Sequence, residues 1–365
     1  MTITHFELQN FRNLKQLSLT PSPTLNIIYG KNGSGKTSLL EAIFYLGRAR
    51  SFRTTHIQHL ITQDQAHFVC FGKIKDQAGK QHNLGVRRSP QEQTIKIDSL
   101  HIQRTSDLAR LLPLQIINND VHHLIDGGPK IRRQFIDWGV FHSQPPFADI
   151  MKNYRHSLRQ RNAALKQKWK QQDLVHWDKQ LVQHAEQIDL LRRAYLERFT
   201  NAFMGLLQDS FNLPDVKLSY RCGWDKTKAL STALQDNWEL DRQRGVTHSG
   251  PHKADLKLTT QGNQALREVV SRGQQKIIAT LLVLAQILVF HERQDTSTNL
   301  VLLIDDLPAE LDRDFSAYFM RKILEHNIQI FVSATEPTLL TIPKQTPYKM
   351  FHVEHGMLSE SSNRD

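Results

Sequence analysis

Apolar and polar residues alternate along ITHFELQNFRN (3–13), the period of a half-buried strand. TLNIIYG (24–30) is more continuously apolar and predicts a buried strand ending at Gly30. A helix is expected from about Lys36, with Leu39, Leu40, Ile43, Phe44 and Leu46 on its inner face. HFVCFGKI (67–74) and QTIKIDSLHI (93–102) predict further strands. The middle changes period. From Ile150 to Phe211 there is no proline, and no glycine before Gly205. Trp177, Leu181, Ala185, Ile188, Leu191, Tyr195, Phe199 and Phe203 recur every three or four residues, the pattern of a long amphipathic helix. MKNYRHSLRQRNAALKQKWKQQ (151–172) is helix-compatible too, so an antiparallel pair joined near Gln172–His176 is expected. Strands return at ADLKLTT (254–260), NLVLLIDD (299–306) and IQIFVSAT (328–335), with an apolar helix, Gln274–His291, among them. The plan is α/β: a strand-rich head formed by residues 1–115 and 246–365, split by a helical lobe, 116–245.

Composition narrows the class. The 365 residues are 39% hydrophobic, enough for folded cores. Lys and Arg number 47 against 36 Asp and Glu, a net charge of +11, which points to a polyanionic partner, nucleic acid before membrane. The two cysteines, Cys70 and Cys222, have neither metal-site nor disulfide-framework spacing, as expected in a reducing cytoplasm. The N-terminus lacks an apolar signal core. The longest apolar run, Ile277–Phe290, is short for a bilayer span and contains Gln286. A soluble cytoplasmic protein without a membrane partner is expected.

Candidate chemistry starts at Gly30-Lys31-Asn32-Gly33-Ser34-Gly35-Lys36-Thr37, which fits G-x-x-x-x-G-K-[ST]. Such a loop turns backbone N–H groups and a helix N-terminus onto phosphate oxygens. Lys36 should reach the β- and γ-phosphates of ATP, and the Thr37 hydroxyl should ligate Mg²⁺. A magnesium carboxylate is expected at a strand end, where Asp305 stands, with Asp306 next to it to orient or deprotonate the attacking water. Ser271 precedes the apolar helix and reads as its N-cap. The S-x-G-Q spacing ahead of the carboxylate strand gives a second reading, a signature motif facing another protomer's γ-phosphate.

FELQNFRNL (6–14), GKNGSGKTSLLEAI (30–43), SRGQQK (271–276) and LLIDDLPAELD (302–312), in this order, resemble an ABC ATPase head of the chromosome-maintenance type. LGRARSFRT (46–54), GGPKIRRQFIDWG (127–139), LRQRNAAL (158–165) and SGPHKADL (249–256) are similar to the RecF family of bacterial recombination mediators. The resemblance implies a P-loop head with mixed sheets around the P-loop helix, a helical lobe and no long coiled coil. It implies slow ATP hydrolysis, an ATP-dependent homodimer, and binding to single-stranded DNA and gapped duplex. It further implies action with RecR and RecO to help load RecA. Carried onto this chain, it makes Arg12 a nucleotide contact, or else a strand-end cation. Ser271, Gly273, Gln274 and Lys276 become the signature in trans, and Glu310 and Asp312 the D-loop. Gln115 is either a Q-loop ligand near the metal or a surface glutamine. ABC proteins at large carry glutamate where Asp306 stands, and the shorter side chain predicts slow hydrolysis. FVSATEP lacks the switch histidine, leaving Ser333 and Thr335 as candidates to replace it.

Between Ile150 and Gln172 there is no acidic residue, and on a helix Lys152, Arg155, Arg159, Lys166 and Lys170 would share a broad face. A DNA backbone, an acidic protein partner and plain solvent are the three readings of that face. Other classes share parts of this pattern. The nucleotide-binding subunit of an ABC transporter is the alternative, opposed by the helical middle, the basic surplus and the missing histidine. A nuclease of the overcoming-lysogenization-defect type would need an acidic metal module after Asp312, for which little chain remains, and no N-K-x-D stretch exists to read guanine.

Overall fold

The computed structural model describes residues 1–76, 78–208, 213–292, 300–306, 312–343 and 345–361. It forms two compact units, residues 1–121 with 294–365, and residues 122–293. Residues 246–293, assigned on sequence to the head, therefore belong to the second unit. The reason is packing: the apolar helix Arg272–His291 lies against Val175–Leu207 and Pro129–Ser143, all within that unit.

The first unit is layered. An antiparallel sheet runs in the order Leu14–Leu19, Thr2–Phe11, Phe68–Lys75, Gln81–Arg88, Gln93–Ile97, Leu100–His101. A second sheet runs Met357–Ser361, Tyr348–Glu354, Leu25–Tyr29, Gln329–Ala334, Val301–Ile304, Leu114–Ile117, all parallel except the first strand. The helix Lys36–Arg48 packs against both sheets. It is buried nearly all round rather than on one face, with Leu39, Leu40, Ile43 and Leu46 at 0% exposure. Each such side chain contributes about 1.5–3 kcal/mol of burial. Parallel pairing sends Leu25–Tyr29, Val301–Ile304 and Gln329–Ala334 out at the same sheet edge, so the loops that follow them meet there.

In the second unit the expected helical pair is present as Phe147–Lys166 and Val175–Leu207, joined by a short turn that includes Gln171–Leu174. The first helix ends at Lys166 because the chain turns there; Lys168 has φ 58. Lys170 consequently N-caps the following turn and does not extend the basic face of the helix, a correction to the sequence reading. Arg161 from the same segment is wholly buried. It donates to Asp178 Oδ1 at 2.7 Å, Asp241 Oδ2 at 2.6 Å and Thr247 Oγ1 at 2.8 Å. The helix Arg272–His291 has 20 residues, long and apolar enough to cross a membrane, which corrects the shorter run read from sequence. Most of it is buried, the setting of a core helix, and Gln286 inside it donates to Phe135 O at 2.9 Å and Tyr195 Oη at 3.1 Å.

Candidate nucleotide site

The phosphate loop is shaped by glycine. Gly30 has φ 147, and a Cβ there would lie 2.3 Å from Val353 O; Gly35 has φ 120, and a Cβ there would press on Leu14 and Asn13. With Gly33 at φ 80, these left-handed residues curl the loop at the N-terminus of Lys36–Arg48. Ser34 O accepts from Gly356 N at 3.2 Å and from Asn13 Nδ2 at 3.2 Å, bracing the loop from outside. Lys36 folds back to donate to Gly30 O at 2.7 Å and Lys31 O at 3.1 Å. Burial pushes its ammonium below the usual lysine range, while Asp306 and Asp305 oppose that shift. Ser34 Oγ is buried with no hydrogen-bond partner. A glycine nest, a lysine held by carbonyls and an unpartnered hydroxyl are the donors a polyphosphate takes up.

Two sheet strands over, Asp305 follows Val301–Ile304. Thr37 Oγ1 donates to Asp305 Oδ1 at 2.9 Å and Oδ2 at 3.0 Å. Thr37 gives its proton to the carboxylate and keeps lone pairs for an ion, so this all-oxygen pair fits Mg²⁺. Between the two strands lies Gln329–Ala334, whose Ser333 donates to Asp305 Oδ1 at 2.8 Å and accepts from Asp306 N at 2.9 Å. Asp306 sits at φ 56, left-handed for a residue with a side chain.

The other predicted residues separate into those brought to this site and those placed elsewhere. Arg12, at φ 53, donates through Nε and Nη2 to the carboxylate of Glu41 in the phosphate-loop helix, the Nη2 bond being 2.9 Å. It stands just past the end of its strand and is anchored to that helix. Ser51 also donates to Glu41, and Arg53 lies 3.7 Å from it. Glu41 and Ser51 were missed on sequence; the available signal was a lone acid among the apolar residues of that helix. Gln115 is not brought to the Thr37–Asp305 pair. In register it lies beside Leu302, three residues before Asp305, about 10 Å back along the strand. Asp305 N donates to Ile117 O, so Asn118 is the residue next to that level.

In the second unit, Ser271 closes a capping box: its Oγ accepts from Gln274 N at 3.2 Å, and Gln274 Oε1 accepts from Ser271 N at 3.0 Å. Ser271 and Gly273 are exposed, Gln274 and Lys276 half-buried. A Cβ on Gly273 would meet nothing closer than Ser271 Oγ at 3.9 Å. Asp312 N-caps Arg313–Leu324 through Phe315 N at 2.8 Å, and Glu310 lies outside the described residues. Lys152, Arg155, Arg159 and Lys166 are all exposed on their helix.

The mixed sheet, its phosphate loop and the strand-end carboxylate pair define a P-loop ATPase head of the ABC type. Residues 2–359 match the family model of the RecF/RecN/SMC N-terminal domain. The chain is 40% identical over 366 residues to the DNA replication and repair protein RecF of Pseudomonas paraeruginosa, covering 99% of this chain and 98% of the relative. It is 37% identical over 361 residues to that of Shewanella denitrificans, covering 98% and 99%. A solved structure of the recombination mediator protein RecF with ATP superposes with TM-score 0.86 at 25% identity over 99% of this chain and 98% of that one. An Smc head bound to the C-terminal winged-helix domain of ScpA shares the fold, with TM-score 0.60 at 14% identity over 99% and 97%. The chain belongs to the RecF family.

Proposed function

We propose that this protein is an ATP-dependent DNA-binding protein of recombinational repair and replication restart, acting in the cytoplasm. ATP lies in the loop 30–37, with Lys36 on the β- and γ-phosphates. Thr37 and Asp305 would hold magnesium, which would offset the charge that develops on the phosphates. Asp306 orients the attacking water and accepts its proton, and its short side chain keeps turnover slow. The signature half, Ser271, Gly273, Gln274 and Lys276, serves the nucleotide of a second copy, so ATP closes a homodimer and hydrolysis reopens it. Arg12 contributes at the nucleotide through its hold on Glu41, and Glu310 and Asp312 serve the second copy as its D-loop contacts.

The observation that carries this reading is Gly273. It sits in the first turn of its helix, and among the described residues the nearest atom to a Cβ there is Ser271 Oγ at 3.9 Å. An exposed helix N-terminus that carries no side chain at Gly273 suits close approach by another molecule's phosphate. The dimer then clamps single-stranded or gapped duplex DNA through backbone phosphates, with Lys152, Arg155, Arg159 and Lys166 on its track, and works with RecR and RecO to load RecA. Sedimentation with and without ATP and gapped DNA tests the core of this. A dimer that forms with ATP and co-sediments with DNA is expected; a monomer under all conditions overturns it.

A further inference from the structure

Thr37, Asp305, Ser333 and Asp306 form one hydrogen-bonded chain in the first unit. Ser333 is its midpoint, at 0% exposure on the strand between the phosphate-loop strand and the carboxylate strand. The register puts Val332 beside Ile304, so Ser333 stands level with Asp305. Its hydroxyl has one proton, given to Asp305 Oδ1, and it takes the amide proton of Asp306 on its lone pairs. The first bond turns the Asp305 carboxylate toward Thr37. The second holds Asp306 in its left-handed backbone conformation, which side-chain-bearing residues adopt at a cost and keep only when their surroundings fix it. That backbone sets where the Asp306 carboxylate points.

We propose that Ser333 is a positioning residue that locks the metal carboxylate, Asp305, and the water-orienting carboxylate, Asp306, into a single unit, so that ordering one orders the other. The proposal rests on the ATPase reading of this site. A hydroxyl is needed because the position must donate and accept at once, and Ser333 itself is closed to solvent.

The test compares Ser333→Ala, Ser333→Cys and Ser333→Thr in the full chain. The Ala variant should lower ATP turnover roughly 10- to 100-fold while KM for ATP stays within about threefold, the loss expected when a buried amide and a carboxylate each lose a partner. Independently of turnover, the magnesium concentration needed for half-maximal binding of a fluorescent ATP analogue should rise roughly 3- to 10-fold. Ser333→Cys, close in shape but a weak hydrogen-bonding group, should track Ala, and Ser333→Thr should restore both readouts. Wild-type turnover and magnesium midpoint in the Ala and Cys variants overturn the proposal. Equal losses in the Thr and Ala variants overturn it too, since they would mark a packing requirement. If Lys36→Ala still binds ATP normally, the ATPase reading itself fails; if Lys36→Ala loses ATP affinity and Ser333→Ala is unaffected, only the positioning role fails.

Discussion

At the residue scale, the proposed roles of Lys36 and Asp306 predict that binding and turnover can be separated. Lys36 is the loop's buried cation and its hydrogen bonds now go to Gly30 O and Lys31 O, groups that phosphate oxygens would replace. Lys36→Ala should weaken ATP binding roughly 10- to 150-fold, the range for a lost charged hydrogen-bonding group; titration with a fluorescent ATP analogue measures it. Asp306→Asn leaves Thr37 and Asp305 in place, so nucleotide binding should hold while turnover drops roughly 100-fold or more. Single-turnover hydrolysis set beside equilibrium binding checks the split. Arg161 shows the opposite use of charge. It is fully buried between Asp178 and Asp241. Removing one member of such a cluster strands the others, so Arg161→Ala should cost about 3–5 kcal/mol of stability. All five tryptophans lie in the second unit, so denaturant unfolding followed by tryptophan fluorescence reads that unit alone.

At the scale of elements, the helix Phe147–Lys166 buries Met151, Tyr154, Ser157, Arg161, Ala164 and Leu165 and turns Lys152, Arg155, Arg159 and Lys166 outward. Reversing Arg155, Arg159 and Lys166 to Glu should leave the helix intact, because Glu has nearly the helix propensity of Lys and Arg. If DNA runs along this face, affinity falls and the slope of log K against log[salt] flattens by about 2–3, one counterion set per lost phosphate contact. ATP binding should be unchanged, since the phosphate loop lies in the other unit. Unchanged DNA binding with a lost protein complex would assign the face to an acidic partner instead. Measuring DNA binding at two salt concentrations, beside RecR binding, decides.

At the scale of the whole molecule, association and pH are the accessible variables. Ser271→Arg places a bulky cation at the exposed N-terminus of Arg272–His291 and removes its capping hydroxyl. Cap loss alone costs about 1 kcal/mol, so the monomer should still fold and bind ATP. The ATP-dependent dimer should be lost in sedimentation; a dimer that persists would leave Ser271 as a cap only. The second unit should also carry a pH signature. His252 donates from Nε2 to Thr247 O at 2.9 Å, and its Nδ1 is hydrogen-bonded to Tyr154 Oη at 2.6 Å. Burial lowers its pKa from 6.5 to about 4. The unfolded chain therefore takes up this proton first. The stabilisation is fully present above about pH 6.5 and is lost as pH falls toward 4. The fluorescence-detected unfolding midpoint should decline over that window, and His252→Phe should flatten the decline.

What the sequence determined by itself was whatever depends on neighbours along the chain. The phosphate loop, its helix, the strand before Asp305 and the cap at Ser271 are local: a glycine spacing, a period and a capping hydroxyl specify them before any packing. Tertiary structure decided what depends on pairing between distant segments. Strand register placed Gln115 about three residues short of Asp305 and put Ser333 level with Asp305, because a register is set by two segments and cannot be read from one. Glu41 became the anchor of Arg12 only when the sheet brought residue 12 over the helix. The run without acids could not say that Arg161 points inward or that the helix stops at Lys166, since burial and chain reversal are properties of the packed unit. The apolar helix Arg272–His291 could be recognised by composition, but its membership of the second unit followed from the helices that cover it.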